Sequence, residues 1–400
     1  MADHNPLRVL IIGIGHNQIT FLERLINGLI DQNIQIMLSH TKRLRKQPKG
    51  NHSIQYFWTP PIKRGIFRQV FNLMYLFISS LGSKYRRWLT TQVSQGQSLK
   101  DKIGIFIRYA PFCHGDFDVI YFPWNSTAIT YKGLFEIGLP VVISCRGSQV
   151  NIRPHLPGQD AYVSGLRETL QEAAAVHCVS EDIQQAAQAY GLDPEKAVII
   201  HPAVDPDFFK PLNARPHNKQ FKIISTGSLI WRKGYEYLLM ALKRLIDKGV
   251  DAELHILGKG NMQQSILFSI GDLNLMERVH LHGRVNPEEV RDQLQASDVF
   301  VLSSLSEGIS NAVLEAMSCS LPVVSTDCGG MSEAISDGVE GFLVPLRDPK
   351  AMADALFKLS ANADLRQTMG MASRELVLKQ FQLDDQINAF IDLLNSIVVQ

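Results

Sequence analysis

Glu307 and Glu315 lie beside a predicted helix start. Their types and spacing are, within this 400-residue chain, the most typical of a binding or catalytic site. Glu307 follows an apolar run at 298–302 that predicts a buried parallel strand, and Glu315 completes an E-x7-E pattern. The polar turn 303–310 leads from that strand into a predicted helix at 311–318, with Ser310 as the expected N-cap. Free N–H groups at a helix start attract anions such as a diphosphate, and neighbouring carboxylates can bind sugar hydroxyls. The segment therefore predicts a site for a phosphorylated sugar compound.

A second candidate phosphate site follows the predicted strand 221–226. Gly227 permits a tight turn there, and Lys233 can place its ammonium group on a phosphate. Arg232 offers a second cation if its side chain turns inward. Two cations near a helix start would stabilise negative charge that develops on a leaving diphosphate.

These segments resemble the retaining GT-B glycosyltransferases, in particular glycosyltransferase family 4 (glycosyl transferases group 1). The E-x7-E motif of that family matches Glu307 and Glu315 within SEGISNAVLEAM, which PVVST and GG follow. GSLIWRKG resembles the family pattern G-R-L-x-x-x-K-G, whose lysine matches Lys233, although Ser228 stands at the arginine position. The resemblance implies that Glu307 lies against the donor sugar, that Glu315 binds the ribose hydroxyls, and that Lys233 binds the diphosphate and helps the nucleotide leave.

The resemblance implies a full set of site residues. The predicted catalytic residues are Glu307 and Lys233, and the predicted donor-binding residues are Arg232, Glu315, Gly308, Ser310, Asn311, Gly227, Ser228, Arg284 and Val285. Arg284 and Val285 are expected near the nucleobase, because VHLHGRVNPEEV resembles the family segment that contacts the base; a solvated Arg284 is the alternative. The predicted acceptor- or sugar-binding residues are Gly15, His16, Asn17 and Arg146.

One stretch departs from the family pattern. FDVIYFPWN aligns with D-V-I-H-x-H, whose second histidine often contacts the donor sugar, but Tyr121 and Pro123 occupy the two histidine positions. Together with Ser228, these replacements keep open a catalytically degenerate protein that acts as a non-enzymatic subunit. A GT-B epimerase acting on a nucleotide sugar is the other alternative. A dinucleotide oxidoreductase is disfavoured, because GIGHNQIT lacks the third glycine of that fingerprint.

Alternating strands and helices position these residues. Predicted strands lie at 8–13, 34–38, 119–122, 140–144, 175–179, 197–201, 221–226, 252–258, 279–282, 298–302, 322–325 and 341–344. This pattern predicts an α/β fold, and the resemblance specifies GT-B, with two Rossmann-like domains facing each other across a deep cleft. We expect an acceptor-binding domain at 1–205, a Pro- and Asn-rich linker at 206–219, a nucleotide-sugar-binding domain at 220–380, and a C-terminal helix at 381–400 that packs back on the first domain.

Composition limits the other classes of function. The formal net charge of +1 gives no overall signal for nucleic acid, but residues 42–102 are strongly basic. This region indicates an anionic membrane surface or a polyprenyl-diphosphate acceptor, and a core helix with solvated flanks is the alternative. Five scattered cysteines indicate buried thiols in a reducing compartment. No signal peptide or spanning segment is evident, so we expect a cytoplasmic protein, peripheral on the inner face of the membrane if the basic region binds lipid.

The sequence thus predicts a hexosyltransferase-type glycosyltransferase. It would move a sugar from a nucleotide-diphosphate sugar, with retention, to a hydroxyl of a glycan or lipid-linked acceptor in cell-surface polysaccharide or glycolipid synthesis. We expect no cofactor and no metal, because the protein itself supplies positive charge. Two D-x-D patterns, at Asp116 with Asp118 and at Asp205 with Asp207, are expected to occur by chance.

Overall fold

The structure is a computed structural model that describes residues 6–13, 20–40, 54–58, 76–78, 80–213 and 219–398. The chain forms two compact units. The first comprises Met1–Cys178, Gln184–Ile200 and Ile387–Gln400, and the second comprises Val179–Ile183 and His201–Gln386. The two main boundaries between the units follow Ile200 and Gln386, whereas the sequence predicted domain boundaries after residues 205 and 380. Residues 206–213 belong to the second unit and do not form a free linker.

The first unit is built on a parallel sheet in the order β3-β2-β1-β4-β5-β6-β7. Its strands are β1 Arg8–Ile11, β2 Gln35–His40, β3 Ile54–Trp58, β4 Val119–Phe122, β5 Val141–Cys145, β6 Ala175–Cys178 and β7 Ala197–Ile199. The central strands β4, β5 and β6 are buried along their whole length, as expected for a parallel sheet covered by helices on both faces.

The second unit is built on a parallel sheet in the order β10-β9-β8-β11-β12-β13. Its strands are β8 Phe221–Thr226, β9 Ala252–Leu257, β10 Val279–Gly283, β11 Val299–Leu302, β12 Val323–Thr326 and β13 Gly341–Val344. Successive residues of β8 belong to different core clusters, Ile223 to one and Ile224 to the other. The sheet therefore has an apolar core on each face, which explains its nearly continuous Val, Ile and Leu runs.

Helices connect the strands of both sheets. In chain order the α-helices of the described residues are α1 Thr20–Asp31, α2 Arg86–Ser94, α3 Leu99–Tyr109, α4 Asn125–Thr130, α5 Gly147–Asn151, α6 Asp160–Glu172, α7 Glu181–Gln188, α8 Tyr235–Asp247, α9 Gln263–Asp272, α10 Pro287–Gln295, α11 Asn311–Ser318, α12 Met331–Ala334, α13 Pro349–Ala361, α14 Ala363–Gln380 and α15 Leu383–Val398. Short 3-10 turns include Lys132–Ile137 and Trp231–Lys233.

The C-terminal helix α15 packs part of its length within the first unit. The ring of Phe390 lies with its centroid 5.8 Å from that of Tyr121 and 4.7 Å from that of His177. Ile387 lies so close to Gly28 of α1 that a Cβ at Gly28 would meet its Cδ1 at 2.1 Å. A bulkier residue at Gly28 would push this helix away.

The predicted α/β fold is confirmed, with two parallel sheets of Rossmann type. Every predicted strand has an observed counterpart, with ends that differ by at most two residues. Strand β3 was not predicted; it pairs with β2 at the edge of the first sheet.

Candidate functional site

The candidate site lies at the topological switch point of the second sheet. Strands β8 and β11 are neighbours, but the chain runs from β8 towards β9 on one side and from β11 towards β12 on the other. The loops that follow their carboxyl ends, residues 227–234 and 303–310, therefore meet at the position where ligands bind in open α/β sheets.

Lys233 and Glu307 come together at this junction. The Lys233 ammonium donates to Glu307 Oε1 at 2.6 Å. The two side chains are 13% and 11% exposed, so the ion pair is mostly shielded from water but open on one side. The structure thus joins the two residues that the sequence predicted to be catalytic.

Close backbone approach between the two loops sets this geometry. Leu305 N–H donates to Arg232 O at 2.7 Å, and the Ser303 hydroxyl donates to Lys233 O at 2.8 Å. Gly234, which ends the 3-10 turn, has φ +58°, and a Cβ there would meet Ser303 O at 2.2 Å. Only glycine allows the turn that carries Lys233 to lie this close to the β11 loop.

Electrostatics keep Glu307 ionised. Burial alone would raise the pKa of its carboxyl, but the charge and hydrogen bond of Lys233, the charge of Arg232 and a hydrogen bond from Ser304 together outweigh burial and hold the pKa below its ordinary value. The Ser304 hydroxyl donates to Glu307 Oε1 at 2.8 Å. The site therefore presents an ionised carboxylate that accepts hydrogen bonds from Lys233 and Ser304 of the same unit.

Unsatisfied polar atoms surround the ion pair. Arg232 Nε and Asn311 Oδ1 are buried without a hydrogen-bond partner. Ser310 occupies the N-cap position of α11, as predicted, but its side chain makes no capping hydrogen bond. Buried polar atoms normally have partners, so these groups are typical of a site that completes its hydrogen bonds with a ligand. Glu315, in the second turn of α11, is half-buried.

The remaining predicted donor residues take different environments. Gly227 follows β8 with φ +155°, and its carbonyl accepts from the Tyr235 hydroxyl at 3.2 Å; Ser228 comes next in the same loop. Gly308 lies against Val179, whose Cγ2 would be 2.6 Å from an added Cβ. Val285 packs against the second unit's core while Arg284 is exposed, which favours the solvated alternative for that arginine.

The predicted acceptor residues lie in the first unit or outside the described residues. Gly15, His16 and Asn17 lie outside the described residues. Arg146 follows β5 with its guanidinium 5.8 Å from the ring centroid of Trp124.

The departures at Tyr121 and Pro123 are buried. Pro123 is buried, and Tyr121 is 2% exposed. The Tyr121 hydroxyl hydrogen-bonds to Ser144 Oγ at 2.7 Å. Tyr121 is thus a core residue of the first unit.

Sequence reasoning missed the hydroxyl residues that support the ion pair. Besides Ser303 and Ser304, Thr326 donates from Oγ1 to Ser304 O at 2.6 Å. Ser303 and Ser304 directly follow β11, and Thr326 ends β12. Their place at the carboxyl ends of neighbouring parallel strands was a usable signal, since such ends share one edge of the sheet.

The acidic D-x-D pairs bind groups of the protein itself. Arg8 donates to both Asp116 and Asp118. A hydrogen bond from Lys84, followed by that from Arg8, lowers the pKa of the Asp116 carboxyl, and the Arg8 hydrogen bond lowers that of Asp118. Asp205 Oδ1 accepts the backbone N–H groups of Asp207 and Phe208 at 2.9 and 3.0 Å. These contacts give the aspartates a structural role.

The basic region is described only in part, because residues 41–53 and 59–75 lie outside the described residues. In the described part Lys84 donates to Asp116 at 2.8 Å, Arg86 and Arg87 are exposed, and the apolar residues Phe77 and Ile78 are exposed as well. All five cysteines are buried thiols that form no disulfide. Within the described residues, no helix has both the length and the apolar character needed to cross a bilayer.

Two family models match separate segments of the chain. The family model of glycosyl transferases group 1 matches residues 220–362, and that of glycosyltransferase family 4 matches residues 98–208. Among curated proteins, the chain is 32% identical over 200 residues to the amylovoran biosynthesis glycosyltransferase AmsK of Erwinia amylovora, covering 48% of this chain and 49% of AmsK. The chain spans about half the length of the first curated relatives that it matches, 49% and 50%.

Solved structures share the whole fold. The sucrose-phosphate synthase of Thermosynechococcus elongatus matches with a TM-score of 0.76 at 15% identity, covering 98% of this chain and 99% of that one. The HepE protein of Anabaena, solved in complex with UDP-glucose, matches with a TM-score of 0.70 at 15% identity, covering 98% of this chain and 100% of that one. At these identities the likeness concerns the fold.

Proposed function

We propose that this chain, which belongs to the GT-B glycosyltransferases of group 1 and family 4, transfers a sugar from a nucleotide-diphosphate sugar to an acceptor hydroxyl. The observation that carries the proposal is the Lys233–Glu307 pair, 2.6 Å apart at the switch point and beside the start of α11. Lys233 and the N–H groups at the start of α11 suit the diphosphate of such a donor, and the fixed carboxylate of Glu307 suits its sugar.

In the proposed reaction the diphosphate lies at Lys233 and at the start of α11. The bond between the sugar C1 and the phosphate oxygen breaks, and its electron pair remains on the diphosphate. The acceptor hydroxyl oxygen bonds to C1 on the same face, and its proton passes to the departing phosphate, so that the anomeric configuration is retained. Lys233 stabilises the growing negative charge, and one such preorganised group typically contributes several kcal/mol.

Glu307 has two roles in this proposal. Its carboxylate positions the sugar as C1 gains positive character, and it holds the Lys233 ammonium at the mouth of the site. Arg232 adds positive charge next to Lys233, and its unpaired Nε suits a phosphate oxygen. Glu315, half-buried in α11, binds the ribose hydroxyls.

We propose that transfer requires no metal ion, since the cations and helix N–H groups take its place. The acceptor is a glycan or a lipid-linked sugar. AmsK is named for amylovoran biosynthesis, which supports a role in cell-surface polysaccharide synthesis. The exposed apolar residues Phe77 and Ile78 and the exposed Arg86 and Arg87, all within the basic region, support docking to the anionic inner face of the membrane.

Nucleotide binding is the first test. Thermal shift is measured with UDP, GDP and ADP on the wild type, on Glu315→Ala and on Glu375→Ala, which removes an exposed glutamate of α14. A nucleotide at about 100 times its dissociation constant should stabilise by roughly 2.7 kcal/mol. UDP comes first because HepE was solved with UDP-glucose. We expect stabilisation by one base, lost only in Glu315→Ala.

Turnover is the second test. With the preferred sugar conjugate, Glu307→Gln should reduce transfer at least about 100-fold while the variant still unfolds cooperatively. The anomeric configuration of the product, read by NMR, tests retention. Nucleotide binding without turnover on any acceptor would favour the non-enzymatic subunit, and turnover without an acceptor would favour the epimerase. Transfer that EDTA abolishes would contradict the metal-free proposal.

Salt-sensitive flotation with anionic liposomes tests the membrane proposal. The wild type should float at low salt, and Arg86→Glu combined with Arg87→Glu should float less. Equal flotation with neutral and anionic vesicles would contradict it.

A further inference from the structure

A cluster of one glutamate and three histidines lies on one face of the second sheet. Glu253 and His255 alternate along β9, and His280 and His282 alternate along the neighbouring edge strand β10. His280 pairs in register with His255, so all four side chains point to the same face. The intervening residues Leu254 and Ile256 are buried in the core on the opposite face.

The spacing of the ligand atoms suits one metal ion. Glu253 Oε1 lies 3.0 Å from His255 Nε2, and Glu253 Oε2 lies 3.4 Å from His280 Nε2. One ligand atom from each of the three residues falls within 4.8 Å of the others. Ligands at about 2.0–2.2 Å from a tetrahedral zinc ion lie roughly 3.3–3.5 Å apart. Among the residues that the structure describes, no other group of His, Cys, Asp and Glu side chains meets this criterion.

Hydrogen bonding leaves the key nitrogen available. His255 Nε2 is buried, lies 3.0 Å from Glu253 Oε1 and makes no well-aligned hydrogen bond. Its other nitrogen, Nδ1, lies 2.8 Å from His282 Nε2. When Nδ1–H donates to His282, Nε2 keeps a free lone pair that is directed as a metal ligand requires.

The carboxylate of the cluster forms no ion pair with Lys222, although the charge of this lysine acts on it. Lys222 of β8 pairs in register with Glu253, yet its ammonium donates to Gln293 Oε1 at 3.3 Å. Imidazole nitrogens with one carboxylate are ligands that zinc and similar divalent transition metals prefer.

We propose that Glu253, His255 and His280 bind one divalent transition-metal ion of the zinc class, while His282 accepts a hydrogen bond from His255 Nδ1 and so fixes the tautomer of His255. The ion would tie the edge strand β10 to β9. The cluster sits within the strands, whereas Lys233 and Glu307 follow strand carboxyl ends, so the ion is structural and takes no part in sugar transfer. This inference does not depend on the proposed function.

Zinc binding by the full chain, purified without a histidine tag and stripped with chelator, tests the proposal. In competition with a chromophoric chelator the wild type should bind one Zn²⁺ per chain. His280→Ala should lose that site, and His282→Ala should bind about 10–100-fold more weakly, as is typical when the hydrogen-bond partner of a metal ligand is removed. His155→Ala, which removes an exposed histidine of the first unit, should bind as the wild type does.

X-ray absorption and thermal unfolding provide two further readouts. The absorption spectrum should show nitrogen and oxygen ligands without sulfur. Zn²⁺ should raise the Tm of the wild type and not that of His280→Ala. Absence of stoichiometric zinc binding, equal binding by His280→Ala, or sulfur ligation through a cysteine would each overturn the proposal.

Discussion

The two units share a parallel-sheet architecture but use their polar side chains in opposite ways. In the first unit Tyr121, Ser144 and His177 form a closed chain of hydrogen bonds: Tyr121 to Ser144 at 2.7 Å, Ser144 to His177 Nδ1 at 2.7 Å, and His177 Nε2 to Ile200 O at 2.8 Å. The three side chains are at most 2% exposed. A neutral, satisfied and buried network of this kind stabilises and specifies a core.

The second unit has a charged pair in the loops that follow two of its strands. Lys233 and Glu307 are 13% and 11% exposed, and unpaired atoms of Arg232 and Asn311 lie buried nearby. An ion pair that is open on one side and has unsatisfied neighbours stabilises the fold poorly, because much of its attraction offsets desolvation. The charged pair and its unsatisfied neighbours therefore mark the candidate ligand site of the second unit.

Removal of the Lys233 charge should have the largest effect on stability and activity, and it tests the contrast between the two units most directly. Lys233→Met leaves the Glu307 carboxylate buried without its cation, so we expect about 3–5 kcal/mol of destabilisation and a raised Glu307 pKa. The same change removes a group at the leaving diphosphate and should lower kcat by about 10²–10³-fold. Denaturant unfolding and steady-state kinetics measure the two effects.

Lys243→Met is the matched control for Lys233→Met. Lys243 forms an exposed i,i+4 pair with Asp247 on α8. Its loss should change stability by no more than about 0.5 kcal/mol and leave kcat unchanged. Equal effects at the two lysines would mean that Lys233 is an ordinary surface residue.

The second largest loss of stability should come from disturbing the close backbone contact between loops 227–234 and 303–310. Gly234→Ala adds a Cβ 2.2 Å from Ser303 O at φ +58°, and we expect a loss of at least about 2 kcal/mol from overpacking and left-handed strain. Gly249→Ala has a similar positive φ of +86° with no atom within 4 Å, so it carries the conformational cost alone. Similar losses in both variants would show that the close contact with Ser303 contributes nothing.

The sequence allowed the sheets to be predicted more fully than the site. The strand at Phe221–Thr226 was located in full because both of its faces are buried and its apolar run is continuous. Strand β3 was missed: it is a short edge strand that lies within the basic region 42–102.

Lys233 and Glu307 were each predicted, but as ligands of separate parts of the donor. Their pairing depends on the approach of loops 70 residues apart, as in the Ser303 to Lys233 O hydrogen bond, and no local pattern reports it. Ser304 was missed because a serine in a polar turn has no periodicity that distinguishes a functional hydroxyl from a solvated one.

Acid sensitivity can sharpen the assignment of Ser304. Its hydrogen bond helps to lower the pKa of Glu307, so Ser304→Ala should raise that pKa and cost about 1.5 kcal/mol at neutral pH. A carboxyl with a depressed folded pKa stabilises the protein above its unfolded pKa and loses that stability as pH falls through the folded pKa. The wild-type and variant stabilities should therefore converge in acid.

Ser303→Ala serves as the control for Ser304→Ala. Its hydroxyl donates to the Lys233 carbonyl, which does not titrate, so its cost should not change with pH. Urea unfolding between about pH 3 and pH 7 compares the two variants. A Ser304→Ala deficit that stays constant across this range would remove Ser304 from the charge network of Glu307.

The smallest expected effect tests the first unit. Tyr121→Phe removes one hydroxyl and leaves Ser144 paired with His177, so we expect a loss of about 1 kcal/mol and no change in nucleotide affinity. Calorimetric titration with the nucleotide found by thermal shift measures this affinity, with Glu315→Ala as the variant that should lose it. A tenfold weaker nucleotide affinity in Tyr121→Phe at unchanged stability would reverse the contrast, because the phenol would then serve the donor site and not the core. An unchanged affinity would mean that Tyr121 serves the core of the first unit and not the donor site.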